Sequence, residues 1–306
     1  MERMPLKDSL LAVLVAVIWG INFVAIELGL DDVPPLLFLS LRFFVVAAPA
    51  LWLVARPQVP WQLVLQVGLF MSLGQFGLLY TAMAVGMPPG LASLVLQAQV
   101  VLTVVFASVR LHEMPTSRQV VGVVLGVIGL AVVAWGRSAA TPLLGLLLTF
   151  AAATSWACGN VVARRVGPSS GLSMVVWSAI VVPVPLLLLS LVVDGPSEVA
   201  RALTHLSLAA VLSTAYTAVL ASFVGYGIWN SLLGRHQASA VVPFMLLVPV
   251  FGMGSAWLVF DEVPNAAEAS GGALLLAGVA TVALAGRRTR AAATAAPVAV
   301  DNGRHD

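Results

Sequence analysis

The chain has 306 residues, 60% of them hydrophobic and only 9% charged, with a mean hydropathy of +1.02. Soluble domains carry roughly 25% charged residues, so a water-soluble fold is excluded and a bilayer must take up the apolar surface. The net charge of +2 and the isoelectric point near 9.1 reflect short basic loops rather than affinity for nucleic acid.

In chain order, ten apolar runs predict membrane-crossing helices at about 9–29, 35–54, 60–80, 90–110, 117–135, 143–163, 171–192, 207–232, 237–259 and 267–285. The first run, with Lys7 ahead of it, resembles a signal peptide, but it shows no small-residue cleavage site and is expected to remain as a span. Asp31, Asp32, Pro34 and Pro35 close it. Arg56, Pro57 and Pro60 follow the second helix, and Met87, Pro88, Pro89 and Gly90 separate the third from the fourth. The gap at Gly234–His236 is a very short hairpin, and residues 287–306 are expected to form a disordered cytoplasmic tail. Threading these helices sorts the basic residues. Twelve of fifteen fall in alternate gaps, which would put both termini in the cytoplasm and make the protein multi-pass in the bacterial inner membrane.

The sequence also repeats itself. Trp19-Gly20-Ile21-Asn22 in the first helix matches Trp156-Ala157-Cys158-Gly159-Asn160 in the sixth. Leu91-Ala92-Ser93 opens the fourth helix as Gln237-Ala238-Ser239 opens the ninth, and a glutamate follows each, Glu113 and Glu262. Five helices per copy is an odd number, so the second copy would enter the bilayer upside down. The expected fold is an all-α membrane protein of ten transmembrane helices in two inverted five-helix repeats, residues 1–137 and 138–286.

Several blocks make the likeness specific: Val17-Ile18-Trp19-Gly20-Ile21-Asn22-Phe23-Val24, Gly90 through Gln99, Ser155 through Asn160, and Gly225-Tyr226-Gly227-Ile228-Trp229 with Leu232-Leu233-Gly234-Arg235. In them the chain resembles the EamA-type branch of the drug/metabolite transporter superfamily, and is similar to its exporters of O-acetylserine and cysteine. That resemblance implies a secondary transporter exporting small amino acids or amino-acid-derived metabolites by alternating access. Broader efflux of hydrophobic or aromatic compounds is the alternative. The fourth helix departs from the superfamily pattern, with Gln97 and Gln99 where many members carry proline, while the ninth keeps Pro249.

Polar groups inside spans mark the candidate binding residues, because hydrocarbon makes them costly. Trp19 and Asn22 share one helical face, as do Trp156 and Asn160, and the repeat would aim both pairs at one cavity; interhelical hydrogen bonding is the plainer use of the asparagines. Arg42 either grips a substrate carboxylate or serves structure, by snorkelling or pairing with Glu27. Gln97 and Gln99 point about 200° apart, and Gln97 is favoured for the cavity. On the eighth helix Tyr216, Phe223, Tyr226 and Asn230 recur along one side, of which Tyr226 and Asn230 are the candidates; Gln75 and Tyr80 rank below them. The glycines of the fifth and tenth helices either pack those helices together or make a homodimer face.

No phosphate-binding loop is present, and Glu27, Glu113, Glu262 and Glu268 sit near helix ends, so downhill export fits as well as strict proton exchange. No cofactor, catalytic residue or metal site is expected. His112, His205, His236 and His305 fall in loops or the tail, which leaves Ser255 without a base. The expected partners are a small-molecule substrate and the lipid bilayer.

Overall fold

A computed structural model describes residues 4–136, 141–164 and 171–295. Ten of its helices are long and apolar enough to cross a membrane. They are α1 (Leu6–Leu30), α2 (Pro35–Leu53), α3 (Trp61–Ala84), α4 (Pro89–Leu111), α5 (Ser117–Trp135), α6 (Leu143–Ala163), α7 (Val176–Val193), α8 (Leu208–Arg235), α9 (Val242–Phe260) and α10 (Ala266–Leu284). No strand occurs among the described residues, and the chain is a multi-pass membrane protein.

The packing follows from where the small residues lie. On α5 Val120, Val121, Val124, Val127 and Ile128 face outward, while Gly122, Gly126 and Gly129 are buried against α10. A Cβ added at Gly129 would lie 2.4 Å from the Leu275 backbone nitrogen, so only glycine lets the two helices approach this closely. The chain thus uses these faces on itself. Gly20 does the same between α1 and α9, where an added Cβ would meet Phe251 Cβ at 2.5 Å.

Five spans depart from the uninterrupted helices expected from the sequence, α7 among them, where a turn over residues 180–182 separates the helix Gly171–Ala179 from the helix Pro183–Val193. The α-helical part of α4 stops at Val95 and resumes at Ala98, and α9 opens with a turn of α-helix (Ala238–Val241) and a 3-10 segment (Val242–Leu246). Proline explains the second: Pro243 heads the 3-10 segment, and Pro249 has no N–H to give the Met245 carbonyl. In α3 and α8 the helix widens into π segments, Gly68–Gly74 and Tyr216–Gly225. The expected stripe on α8 is therefore not straight. Tyr216 turns away to donate its hydroxyl to the Ile18 carbonyl at 3.0 Å.

Two surface features also differ from expectation. A nine-residue helix, Pro196–Thr204, joins α7 to α8, started by Gly195 at φ 88° and closed by a Glu198–Arg201 ion pair. The helix of α10 runs on to Ala295, past the expected start of the tail, through arginines and alanines that favour helix. Residues 296–306 lie outside the described residues.

Candidate functional site

A cavity of about 390 Å³ lies between α1, α2, α3, α4, α6, α8 and α9. All eight residues picked from the sequence line it: Trp19, Asn22, Arg42, Gln97, Trp156, Asn160, Tyr226 and Asn230. Burial and period brought them together. Each is polar or amphipathic within an apolar run, and the bundle interior is where such a side chain avoids lipid.

One wall is aromatic. The Trp19 indole N–H donates to the Ala221 carbonyl at 2.9 Å, and its ring stands 5.1 Å from Tyr226 and 5.5 Å from Trp229, both tilted. Asn22 lies one turn further along α1, 7% exposed, and its Oδ1 is buried with no hydrogen-bond donor. Asn230 donates to the Tyr226 carbonyl at 2.8 Å, which holds it in place on α8.

The opposite wall is amide-rich. Gln97 donates through Nε2 to the Met245 carbonyl at 2.9 Å. That acceptor is the one Pro249 leaves without its usual helical donor, so the break in α4 and the proline in α9 are complementary. Asn160 donates to Gln99 Oε1 at 2.8 Å and to Thr103 Oγ1 at 3.1 Å. Gln99 thus supports Asn160 from behind, and the two glutamines diverge as their spacing requires.

Arg42 is the single charged residue among the described lining residues. It is 2% exposed, with Nη1 donating to the Tyr80 hydroxyl at 3.0 Å and Nη2 to Ser222 Oγ at 3.3 Å. The guanidinium stacks 4.4 Å over the Phe76 ring, and its Nε has no partner. Neither snorkelling nor a pair with Glu27 occurs. Its burial excludes the first, and its hydrogen bonds go to neutral side chains of α3 and α8 rather than to a carboxylate. A second void of about 60 Å³ borders Arg42 on the side of α7. A buried cation without a counter-charge costs several kcal/mol, so an anion arriving here would be strongly favoured.

Sequence reasoning missed Ser93 and Trp229 as lining residues and ranked Gln75, which also lines the cavity, below the others. Ser93 stood out only as part of the repeat motif that opens the fourth helix, and it also packs on Gly252, while Gln75 and Tyr226 each directly follow a π segment that resets the helix face. Ser255 donates its hydroxyl to the Gly252 carbonyl at 3.0 Å, a bond within its own helix.

The two ends of the bundle differ. At one, Asp8 at the start of α1 accepts from Arg235 Nη1 at 3.0 Å and sits 2.6 Å from His236 Nε2, and Glu113 pairs at 2.6 Å with Arg164 after α6. The cavity extends toward this end as far as Ala163 and Leu233. At the other end Glu262 receives the backbone N–H of Gly90 at 2.9 Å and of Leu91 at 3.0 Å, above fully buried Met87. Burial pushes the Glu262 carboxyl above its usual range and the charge of Glu268 adds to this, while the two amide bonds pull it back.

The model of the EamA-like transporter family matches residues 6–135 and again 143–284. A "Probable amino-acid metabolite efflux pump" of Escherichia coli (strain K12) is 42% identical over 284 residues, covering 90% of this chain and 94% of that protein. Its namesake in Salmonella typhimurium is 43% identical over 282 residues, with the same coverage of 90% and 94%. A "Probable terminal-alkyne amino-acid exporter" of Streptantibioticus cattleyicolor is 29% identical over 288 residues, covering 90% of this chain and 92% of that one. A solved crystal structure superposes with a TM-score of 0.63 at 22% identity over 92% of this chain and 98% of the other, a likeness of fold.

Proposed function

The chain belongs to the EamA-like transporter family, and from that premise we propose that it exports amino acids or amino-acid-derived metabolites through the Arg42 cavity by alternating access. The observation that carries the reading is the guanidinium itself: buried, unpaired and set in the cavity wall. A substrate carboxylate supplies the missing counter-charge through parallel hydrogen bonds. The aromatic wall of Trp19, Tyr226 and Trp229 takes the rest of a small solute, with Asn22, Gln97, Trp156, Asn160 and Asn230 orienting its polar groups. The names of the E. coli and Salmonella relatives support the substrate class.

Residues 1–137 and 138–286 act in this reading as two halves related by a pseudo-twofold axis in the membrane plane. The structural pairings support it: π segments recur in α3 and α8, interruptions in α4 and α9, and α5 packs on α10. Charge sorting puts the Asp8–Arg235 end in the cytoplasm with both termini, so the cavity faces inward in this structure. Purified protein in proteoliposomes should move radiolabelled cysteine or O-acetylserine, with unlabelled amino acids competing better than hydrophobic drugs. Flux no greater than in empty vesicles for every amino acid derivative tried, alongside transport of a hydrophobic drug, would overturn the proposal in favour of general efflux.

A further inference from the structure

The helices α4 and α9 end in the same unusual way. His112 and Asp261 hold φ of 54° and 53°, a left-handed conformation that side chains other than glycine rarely adopt. A glutamate follows each directly, Glu113 and Glu262. Matching backbones therefore deliver matching carboxylates to opposite ends of the bundle.

Their engagements differ. Glu262 spans the N–H groups of Gly90 and Leu91 and so ties the end of α9 to the start of α4. Gly90 is where this requires glycine: an added Cβ would lie 2.9 Å from Glu262 Oε1 and 3.2 Å from Ala256 Cβ. Glu113 instead pairs with half-exposed Arg164, although the first turn of α9 (Ala238–Val241) is the repeat counterpart of the start of α4. The cavity tracks this asymmetry. At the end where the glutamate caps a helix, Leu91 and Met87 are buried, and toward the end where the glutamate does not, the cavity lining runs as far as the partly exposed Ala163 and Leu233.

We infer that Glu262 and Glu113 are the two latches of the transport cycle, each closing its own face by capping the first turn of the span that its helix meets in the other half. In the opposite state Glu113 leaves Arg164 and caps the turn at Ala238, and Glu262 releases Gly90 and Leu91. This rests on the twofold alternating-access reading above. The Glu262 contact is poised for release: its carboxylate is partly stripped of water and lies near Glu27 and Glu268, whose charges oppose it. Leaving α4 restores its hydration, so the two amide bonds hold it against a standing opposing force.

Thiol labelling tests the inference without any substrate, so its outcome is independent of whether the transported solute has been identified correctly. In a Cys158→Ala background, Leu91→Cys keeps the backbone N–H and reports the sealed face, while Leu233→Cys reports the other mouth. Glu262→Gln retains one acceptor and turns a donor on the second N–H, and Glu262→Ala removes both acceptors. Each should raise labelling of Leu91→Cys by an impermeant maleimide about tenfold, the worth of one charge-assisted hydrogen bond. Labelling of Leu233→Cys should fall as that of Leu91→Cys rises, and an unchanged melting temperature in detergent reports that the variants are folded. Glu113→Gln should shift Leu91→Cys the other way, toward less labelling, because the alternative state loses its latch. Unchanged labelling of Leu91→Cys in both Glu262 variants, or a Glu113→Gln shift in the same direction as theirs, overturns the inference. A merely structural pair of glutamates would not give opposite signs.

Discussion

Arg42→Lys isolates the chemistry on which the proposed substrate recognition rests. The arginine already spends one N–H on Tyr80 at 3.0 Å and one on Ser222 at 3.3 Å, leaving Nε unpaired. A carboxylate can then be held through two parallel bonds of a planar fork, whereas lysine offers a point charge and holds one oxygen at a time. One charge-assisted hydrogen bond is worth about 1.5–3 kcal/mol, which predicts a loss in affinity of roughly 10- to 150-fold. The measurement is competition against labelled substrate in proteoliposomes, using each amino acid beside its methyl ester. In the parent protein the ester should compete far more weakly than the acid. In Arg42→Lys the two should draw together, because the variant has lost what told them apart. Stability supplies the control: Arg42→Met deletes an uncompensated buried charge, so the melting temperature without substrate should hold or rise, while the rise on adding substrate disappears. An acid and ester that compete equally in the parent, or an Arg42→Met protein that unfolds, would refute carboxylate binding and return Arg42 to a structural role.

Other parts of the structure yield further expectations. Gln97→Leu leaves the Met245 carbonyl without the donor that Pro249 denies it, and should cost about 1–3 kcal/mol, read as a lower melting temperature in detergent. Restoring the backbone donor with Pro249→Ala in the same chain should recover part of that loss. Gly129→Val would press a side chain into the backbone of α10 and should destabilise by at least about 1–3 kcal/mol. Gly227→Ala has open space around it and should be neutral or stabilise by up to about 1 kcal/mol, so equal effects at the two glycines would contradict the packing described. No Asp, Glu or His lines the cavity among the described residues, so downhill flux of substrate in proteoliposomes should persist when the proton gradient is collapsed. Flux that stops with the gradient would place a proton carrier elsewhere, with Glu27 and Glu262 the first to examine.

The sequence exposes some of this architecture readily and hides the rest for physical reasons. Asn22, Asn160, Gln97 and Arg42 are conspicuous because a polar group inside an apolar run must find the bundle interior, and one cavity there gathers all four. The spans are legible for the same reason, written in runs of hydrophobic residues between prolines and charges. What Arg42 binds is not, because Tyr80 and Ser222 reach it from helices whose faces are set by π segments, and a widened turn leaves no mark in composition or in the 3.6-residue period.

The break in α4 is a harder case. No glycine or proline stands at Leu96 and Gln97 to announce it, and the proline that bears on it lies 152 positions further on, at Pro249. Pro249 withholds an N–H from Met245, the Met245 carbonyl turns to Gln97, and Gln97 reaches it from the turn that interrupts α4. A local rule applied to either helix alone sees half of that exchange. The glutamates show the same limit from the other side. Glu113 and Glu262 look interchangeable in the sequence, each one residue past a left-handed helix end, yet only Glu262 caps a neighbouring helix in this structure. Their difference is not a property of either residue. On the latch inference it records which face of the bundle is closed, and a chain that closes each face in turn has reason to carry the same device at both.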